Sequence, residues 1–574
     1  MKINVLPSYK EIFNEEPSSL SELLFDIPSR IVISLLSGIS ATLSIKDDLD
    51  SQIKIYQIFT GNFSEGQKKK IFGAIHPYIK LNNNELKLFS IWTCTEFIER
   101  ELIDYREIVN DDLTSDHELQ ILKAYMVVNE DLINKRKSTK PETSTNHSFV
   151  TWPLLIKQFE FNIRVDPVYQ AVRSLLLFNL LEKNLETKQY VDNWIGSFGR
   201  PSYWNYILDL INLCTIRYSS DKNKLDPNPV FSPFAIQSSK DFESIFEDLT
   251  NTANQSKSKQ PLSNDYIRIR DKPLFKIDGK YIVLNWDFLF NKLYNGLLFS
   301  FYKNSGITHK FQKFPDFKSH IGTYFSERVL LRRILNACFN KRYVVLNFDD
   351  ELEGLPDCYY RNRNHLFLFE FKDALISSEV IQNQSFEEFK NDIELKFVAN
   401  ANNKPKGISQ LIQHIIKVEN NNFTFDSLLA KKIKKRNLRI FPIIVYTHPI
   451  HSMPGINDYL DKKFKASLNS IQLKEIDSKK VKPLTLIDLE FFFRAILFFR
   501  ENEISLEKLI DRYHSICANK QIEIQKKPSL DKYIDIVPSF IEVSLSKINY
   551  GVKRKDFIGK IFEHLGIVDG PSKS

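Results

Sequence analysis

Residues 365–372 (HLFLFEFK) constrain this chain more than any other stretch. Strand residues two apart share a face, so Glu370 and Lys372 point one way while Phe369 and Phe371 point the other. A run apolar on both faces reads as a central strand, where an acid and an ammonium need a reason to be present. Before it come Gly354-Leu355-Pro356-Asp357, the short apolar Cys358-Tyr359-Tyr360, and a polar Arg361-Asn362-Arg363-Asn364 turn. The segment 356–373 therefore reads as a hairpin, with Asp357 at the start of one strand and Glu370 and Lys372 on the next. Two carboxylates and an ammonium converging on one sheet edge are costly unless a hard cation sits between them. The competing reading is a solvent-facing edge strand with charged gatekeepers.

The flanking elements narrow the choice. A helix carrying Glu327 (YFSERVLLRRILNACF) leads into a strand over 342–348, then the hairpin, then a helix over 385–398. A further helix begins after Lys404-Pro405-Lys406-Gly407, with Ile408, Leu411, Ile412, Ile415 and Ile416 on its apolar stripe. A strand over 438–446 follows, and 484–489 reads as one more.

The P-D…E-x-K order within these elements resembles the PD-(D/E)xK nucleases, the restriction-endonuclease-like superfamily, over residues 317–450. The resemblance implies a restriction-endonuclease-like α/β core, a mixed sheet flanked by helices, and metal-dependent hydrolysis of phosphodiester bonds in DNA. It implies Asp357 and Glu370 as ligands of Mg²⁺ or Mn²⁺, with the Phe371 carbonyl as a third oxygen. Lys372 would orient or help deprotonate the attacking water. Glu327 would complete the site or hold a second metal, and Gln410 would touch the site or the substrate backbone. By analogy, such a core with a large helical appendage suits a prokaryotic restriction or anti-phage defence effector. The alternative is a non-catalytic nucleic-acid-binding or assembly protein that uses a nuclease-like scaffold.

Short matches elsewhere show how permissive the pattern is: Glu186-Thr187-Lys188 and Glu394-Leu395-Lys396 also fit E-x-K, and Pro315-Asp316 fits P-D. The first two are expected on helices. The acidic run Asp349-Asp350-Glu351 with Glu353 reads as a solvated turn. His448-Pro449-Ile450-His451 reads as a loop, because its proline prevents a regular two-histidine helix face. Candidate nucleic-acid contacts are Lys404 and Lys406 beside Gly407 at a helix start, and the run Lys431, Lys432, Lys434, Lys435 and Arg436. There is no GxxxxGK[ST] loop, so the chain is not expected to hydrolyse ATP through a P-loop.

A chain of 574 residues is too long for one core, and two to four domains are expected. Residues 1–262 show mainly helical spacing, with a polar linker near 135–149, and this half suits target recognition, homo-oligomerisation or binding of a partner protein. Asp278-Gly279 between β-rich runs marks a hairpin in a connector over 263–316, with 267–270 joining the strand pattern and a helix over 286–302. The nuclease-like domain spans 317–500, and 501–574 returns to helices, giving a multidomain α plus α/β chain. The net charge of +8 is compatible with a nucleic-acid partner. The five cysteines show no zinc spacing, and most read as buried thiols on apolar faces, which suggests a reducing cytoplasm. The N-terminus lacks an uninterrupted apolar h-region, and the greasiest stretch, 489–499, contains Glu490 and Arg494, so neither a secretory signal nor a membrane span is expected.

Overall fold

The computed structural model describes residues 7–81, 87–109, 113–137, 152, 156, 161, 166–219, 235–237, 243–252, 265–349, 354–383, 385–399, 404–431, 433–526, 538–545 and 554–567. The chain divides into two compact units, one of residues 4–140 and 160–310, the other of residues 1–3, 141–159 and 311–574. No helix among the described residues is long and apolar enough to cross a membrane, and all five cysteines are buried and outside any disulfide.

The first unit is mainly helical. Ser29–Ile45, Ile91–Ile103 and Ser115–Lys137 bury Val32, Leu36, Phe97, Ile98, Tyr125 and Val128 in one core. Helix starts follow their capping residues: Ser90 Oγ accepts from Thr93 N–H at 3.0 Å, and Asp166 Oδ1 accepts from Val168 and Tyr169 N–H. The unit also holds a small sheet in the order β1 (Ala235–Gln237), β4 (Lys280–Val283), β3 (Leu274–Ile277), β2 (Thr250–Asn251). Asp278 and Gly279 turn β3 into β4 with φ of 47° and 75°, as the Asp-Gly pair predicts. The connector expected over 263–316 is therefore not a separate piece: its hairpin belongs to this sheet, and the division of the chain falls after Lys310.

Two expectations fail here. Residues 267–270 are not a strand but part of the helical turn Ile267–Asp271. Its Ile269 is buried and Ile267 is exposed, so the alternation that suggested a strand does not mark two sheet faces. Tyr266, at φ 55°, opens this turn while its hydroxyl accepts from Trp92 Nε1 at 2.7 Å and donates to Glu96 at 3.0 Å. The helix expected over 286–302 is likewise two pieces, Trp286–Asn291 and Asn295–Asn304, broken where Tyr294 leaves helical geometry at φ −139°.

The second unit is built on a five-stranded mixed sheet in the order β5 (Val345–Phe348), β6 (Cys358–Asn362), β7 (His365–Lys372), β8 (Arg439–Tyr446), β9 (Thr485–Asp488). β5, β6 and β7 pair antiparallel, while β7–β8 and β8–β9 pair parallel. β5 starts three residues later than expected, because Arg342 and Tyr343 lie outside the ladder and Tyr343 is 85 % exposed. β7 is central, and its residues 366–371 are buried, as an apolar run on both faces requires.

On one face Phe367 stacks on Phe441 (4.6 Å), and Phe369 meets Phe492 of the helix Leu489–Arg500 (6.1 Å). Phe339, at the end of Arg332–Phe339, stacks on Tyr360 at 4.6 Å. The opposite face of β7 carries Glu370 and meets the helix Ile408–Glu419, which packs on Ile456–Asn469. Trp152, far upstream in sequence, also belongs to this unit. Its ring lies 5.3 Å from Phe386, 5.3 Å from Phe389 and 5.4 Å from Tyr459, and its Nε1 donates to the Pro454 carbonyl at 3.3 Å.

Candidate active site

The β6–β7 register pairs Cys358 with Phe369, so one step further along the hairpin sets Asp357 against Glu370. Asp357 Oδ2 accepts the Phe371 N–H at 2.5 Å, which fixes its carboxylate at the mouth of the hairpin. In an antiparallel pair a residue's N–H and C=O face the same neighbour. The Phe371 carbonyl therefore points toward Asp357, beyond the last paired residue of β6. Lys372 Nζ lies 3.5 Å from Glu370 Oε2 and donates to Gln410 Oε1 at 3.1 Å.

Gln410 does two jobs. Its Oε1 also accepts the Gly407 N–H at 2.8 Å, closing the N-terminus of its own helix. Gly407 is required at that point. Its φ is +41°, and a Cβ there would sit 2.4 Å from the Phe397 carbonyl oxygen.

Glu327 lies within Gly322–Leu331, a π-helical stretch that joins the α-helices Phe314–Ile321 and Arg332–Phe339. Such widened turns re-aim side chains and recur at functional sites. The residue before it, Ser326, donates to Asp373 Oδ2 at 2.7 Å, and Lys318 Nζ meets the same oxygen at 2.7 Å. Thr447, just past β8, donates to Asp373 Oδ1 at 2.5 Å. One aspartate thus ties the Glu327 helix to the ends of β7 and β8.

The electrostatics mark these carboxyls as unusual. Burial pushes Glu370 up to about 7 despite the opposing pull of Lys372, with Glu327 and Asp349 adding to the rise. Asp357 is raised by burial and then by Glu370, and Glu327 by burial and then by Asp357. Each acid is held up by another, and Lys372 is the ammonium that opposes the rise at all three. An anionic surplus of this kind suits a cation. The donors are carboxylate oxygens and a main-chain carbonyl, which suit a hard divalent ion rather than a soft one. Among the described residues no three His, Cys, Asp or Glu side chains close into a metal-binding group.

Asp357, Glu370, Phe371, Lys372 and Gln410 are joined by hydrogen bonds or ion-pair contacts at one end of the sheet, and Glu327 joins them through its field. Lys404 and Lys406 lie at the same end, just before Gly407. Lys434, Lys435 and Arg436 do not. They precede β8, and β8 begins opposite His365 and ends opposite Lys372. An eight-residue strand spans about 26 Å, so these residues sit at the far end of the sheet from the carboxylates. Lys434 and Arg436 are exposed there, but Lys435 is buried, with its ammonium on the Glu419 carbonyl and 2.8 Å from Glu475. Lys435 is thus turned inward, away from any phosphate at the surface. Lys431 ends the helix Ser427–Lys431, and Lys432 lies outside the described residues.

The competing matches are resolved by secondary structure. Glu186 to Lys188 lies in the helix Leu185–Gly196, Glu394 to Lys396 in Phe386–Phe397, and Pro315-Asp316 in Phe314–Ile321. Pro449–Ser452 forms a 3₁₀ turn that buries His451 against Phe397 and Tyr446.

Two residues of the site escaped the sequence reading. Asp349, assigned to a solvated turn, sits at the end of β5 and raises Glu327, Asp357 and Glu370; residues 350–353 of that run lie outside the described residues. His414 Nε2 lies 2.9 Å from Glu370 Oε1. The signal for it was its spacing, four residues after Gln410 and hence on the same helix face. No protein-family model matches the chain, and comparison with curated proteins and with solved structures gives no match.

Proposed function

We propose that the chain is a divalent-metal-dependent nuclease of the PD-(D/E)xK type, with DNA as its substrate. The observation that carries this is the placement of Asp357 against Glu370, with the Lys372 ammonium between Glu370 and Gln410. The sheet order, antiparallel through β7 and parallel beyond it, supports a restriction-endonuclease-like core around those residues.

Asp357, Glu370 and the Phe371 carbonyl would hold the cation, which supplies an acidified water and neutralises charge on the scissile phosphate. Lys372 serves as the donor that orients the attacking water, and Gln410 keeps its ammonium at the site rather than in solvent. Burial of Glu370 excludes bulk water from one side, so these charges act at higher strength than on an open surface. The helical unit supports a role in target recognition or assembly, by analogy with appendages on such cores.

The deciding experiment incubates the protein with supercoiled and linear DNA and with RNA, with Mg²⁺, Mn²⁺ or EDTA. Cleavage of DNA is expected with either metal, abolished by EDTA and reduced about 10²-fold or more by Lys372→Ala. A wild-type protein that neither binds Mn²⁺ nor cuts any nucleic acid sinks the proposal. Cleavage of RNA alone would move the substrate and leave the site assignment standing.

A further inference from the structure

The helix Ile408–Glu419 and the strand β7 touch through two polar pairs in step. Gln410 meets Lys372 at 3.1 Å, and His414 meets Glu370 at 2.9 Å. Four residues of helix rise about 6 Å, and two residues of strand about 6.6 Å. The two spacings match, so one helix face can engage both charged residues on one face of β7 at once. The helix supplies a pair of hydrogen-bonding groups for the strand's ion pair.

We propose that His414 is a positioning residue for Glu370. Its Nε2–H donates to Glu370 Oε1 and leaves Oε2 turned toward Lys372 and the reacting centre. The inference rests on the nuclease reading given above.

The assignment of the proton follows from the partner. An ionised Glu370, the form that would hold the cation, can only accept, so in that form Nε2 would carry the hydrogen and Nδ1 would be the bare nitrogen. The ring is buried, at 7 % exposure. Ligating carboxylates commonly have such a hydrogen-bonded partner, and removing one typically weakens metal binding 10–100-fold. The sequence permits few substitutes. Ile412 and Ile415 of the same helix are apolar, and Gln410 is already committed to Lys372 and Gly407.

The test uses the full chain and reads Mn²⁺ binding by electron paramagnetic resonance beside DNA cleavage. His414→Leu is expected to raise the Mn²⁺ Kd by 10–100-fold and to shift the Mg²⁺ dependence of cleavage by a similar factor. His414→Gln, which keeps an N–H donor, should stay within a few-fold of wild type. Wild-type affinity in His414→Leu overturns the proposal, as does equal loss in both variants with folding intact. A wild type that binds no Mn²⁺ and cuts nothing overturns the nuclease reading instead, and this role with it. Should His414→Leu fail to fold, ¹⁵N histidine spectra of the wild type decide the matter, with the His414 signal assigned through His414→Gln. An Nε2–H hydrogen-bonded to Glu370 is expected, and an Nδ1–H tautomer with a bare Nε2 overturns the role.

Discussion

Ser326 donates its hydroxyl to Asp373 at 2.7 Å, so the residue beside Glu327 is bonded to the residue beside Lys372. The same carboxylate holds Lys318 and Thr447, and its side chain is only 5 % exposed. This makes Asp373 the joint between the helix and the strand that bear the charged groups, without being one of them.

Asp373→Ala leaves the buried Lys318 ammonium without its counter-charge. A loss of about 3–5 kcal/mol is expected in the unfolding of the site-bearing unit. Adding Lys318→Met in the same chain should recover most of it, because the stranded charge is then gone. Denaturant unfolding of wild type and the single and double variants checks this. A double variant no more stable than Asp373→Ala would show that packing, not the ion pair, sets the cost.

Gly407→Ala tests the junction between Phe397 and the Gln410 helix. The backbone there has positive φ, and the added methyl would meet a carbonyl oxygen rather than a yielding side chain. A cost above about 1 kcal/mol is expected, together with reduced cleavage, since Gln410 is bonded to that same N–H. Stability and activity are both measured; a neutral variant would mean the loop relaxes without moving Gln410.

Acid should weaken the second unit through His514. This ring lies on the helix Leu506–Lys526 with Nε2 2.9 Å from Thr485 Oγ1, and burial pushes it down to about 4, helped by Lys465 and Lys482 and opposed by Asp511. Its folded pKa is below its unfolded value, so the unfolded chain binds the proton first. The contribution is fully present above about pH 6.5 and is lost as pH falls toward 4, at most about 3 kcal/mol. His514→Gln should flatten the melting temperature between pH 7 and pH 5. An unchanged slope would remove His514 from the account.

Lys404→Ala with Lys406→Ala should weaken DNA binding several-fold and lower the salt slope by about one per phosphate contact removed. Lys434→Ala with Arg436→Ala, at the far end of β8, should leave both unchanged. Titrations at several salt concentrations compare the pairs, and the reverse outcome would place the nucleic acid along the other end of the sheet.

Much of the site was legible because a strand has a fixed two-residue period. Once 365–372 was a strand, Glu370 and Lys372 had to share a face, and the short turn brought Asp357 opposite. Gln410 came from the resemblance, which implies a Gln on the helix after the E-x-K strand. His414 was not singled out, because a histidine among Ile412, Ile415 and Ile416 looks like core until Glu370 is seen across from it. The basic run was harder to place. Nothing local reveals that β8 runs parallel to β7, yet that direction alone decides which end of the sheet those lysines occupy. Lys435 is buried by Glu419 and Glu475, neighbours that no window around residue 435 contains. Residues 267–270 alternate like a strand but follow Tyr266, whose hydroxyl is held by Trp92 and Glu96 far upstream.

The aromatic seat of Trp152 bears on how this protein can be taken apart. Phe386, Phe389 and Tyr459 surround a side chain that lies more than 150 residues earlier in the sequence, amid chain assigned to the other unit on either side. A fragment beginning at residue 311 would contain every proposed catalytic group and still present an open, greasy socket to water. Such a truncation should aggregate, and a peptide spanning 141–159 supplied in trans should restore it to solution.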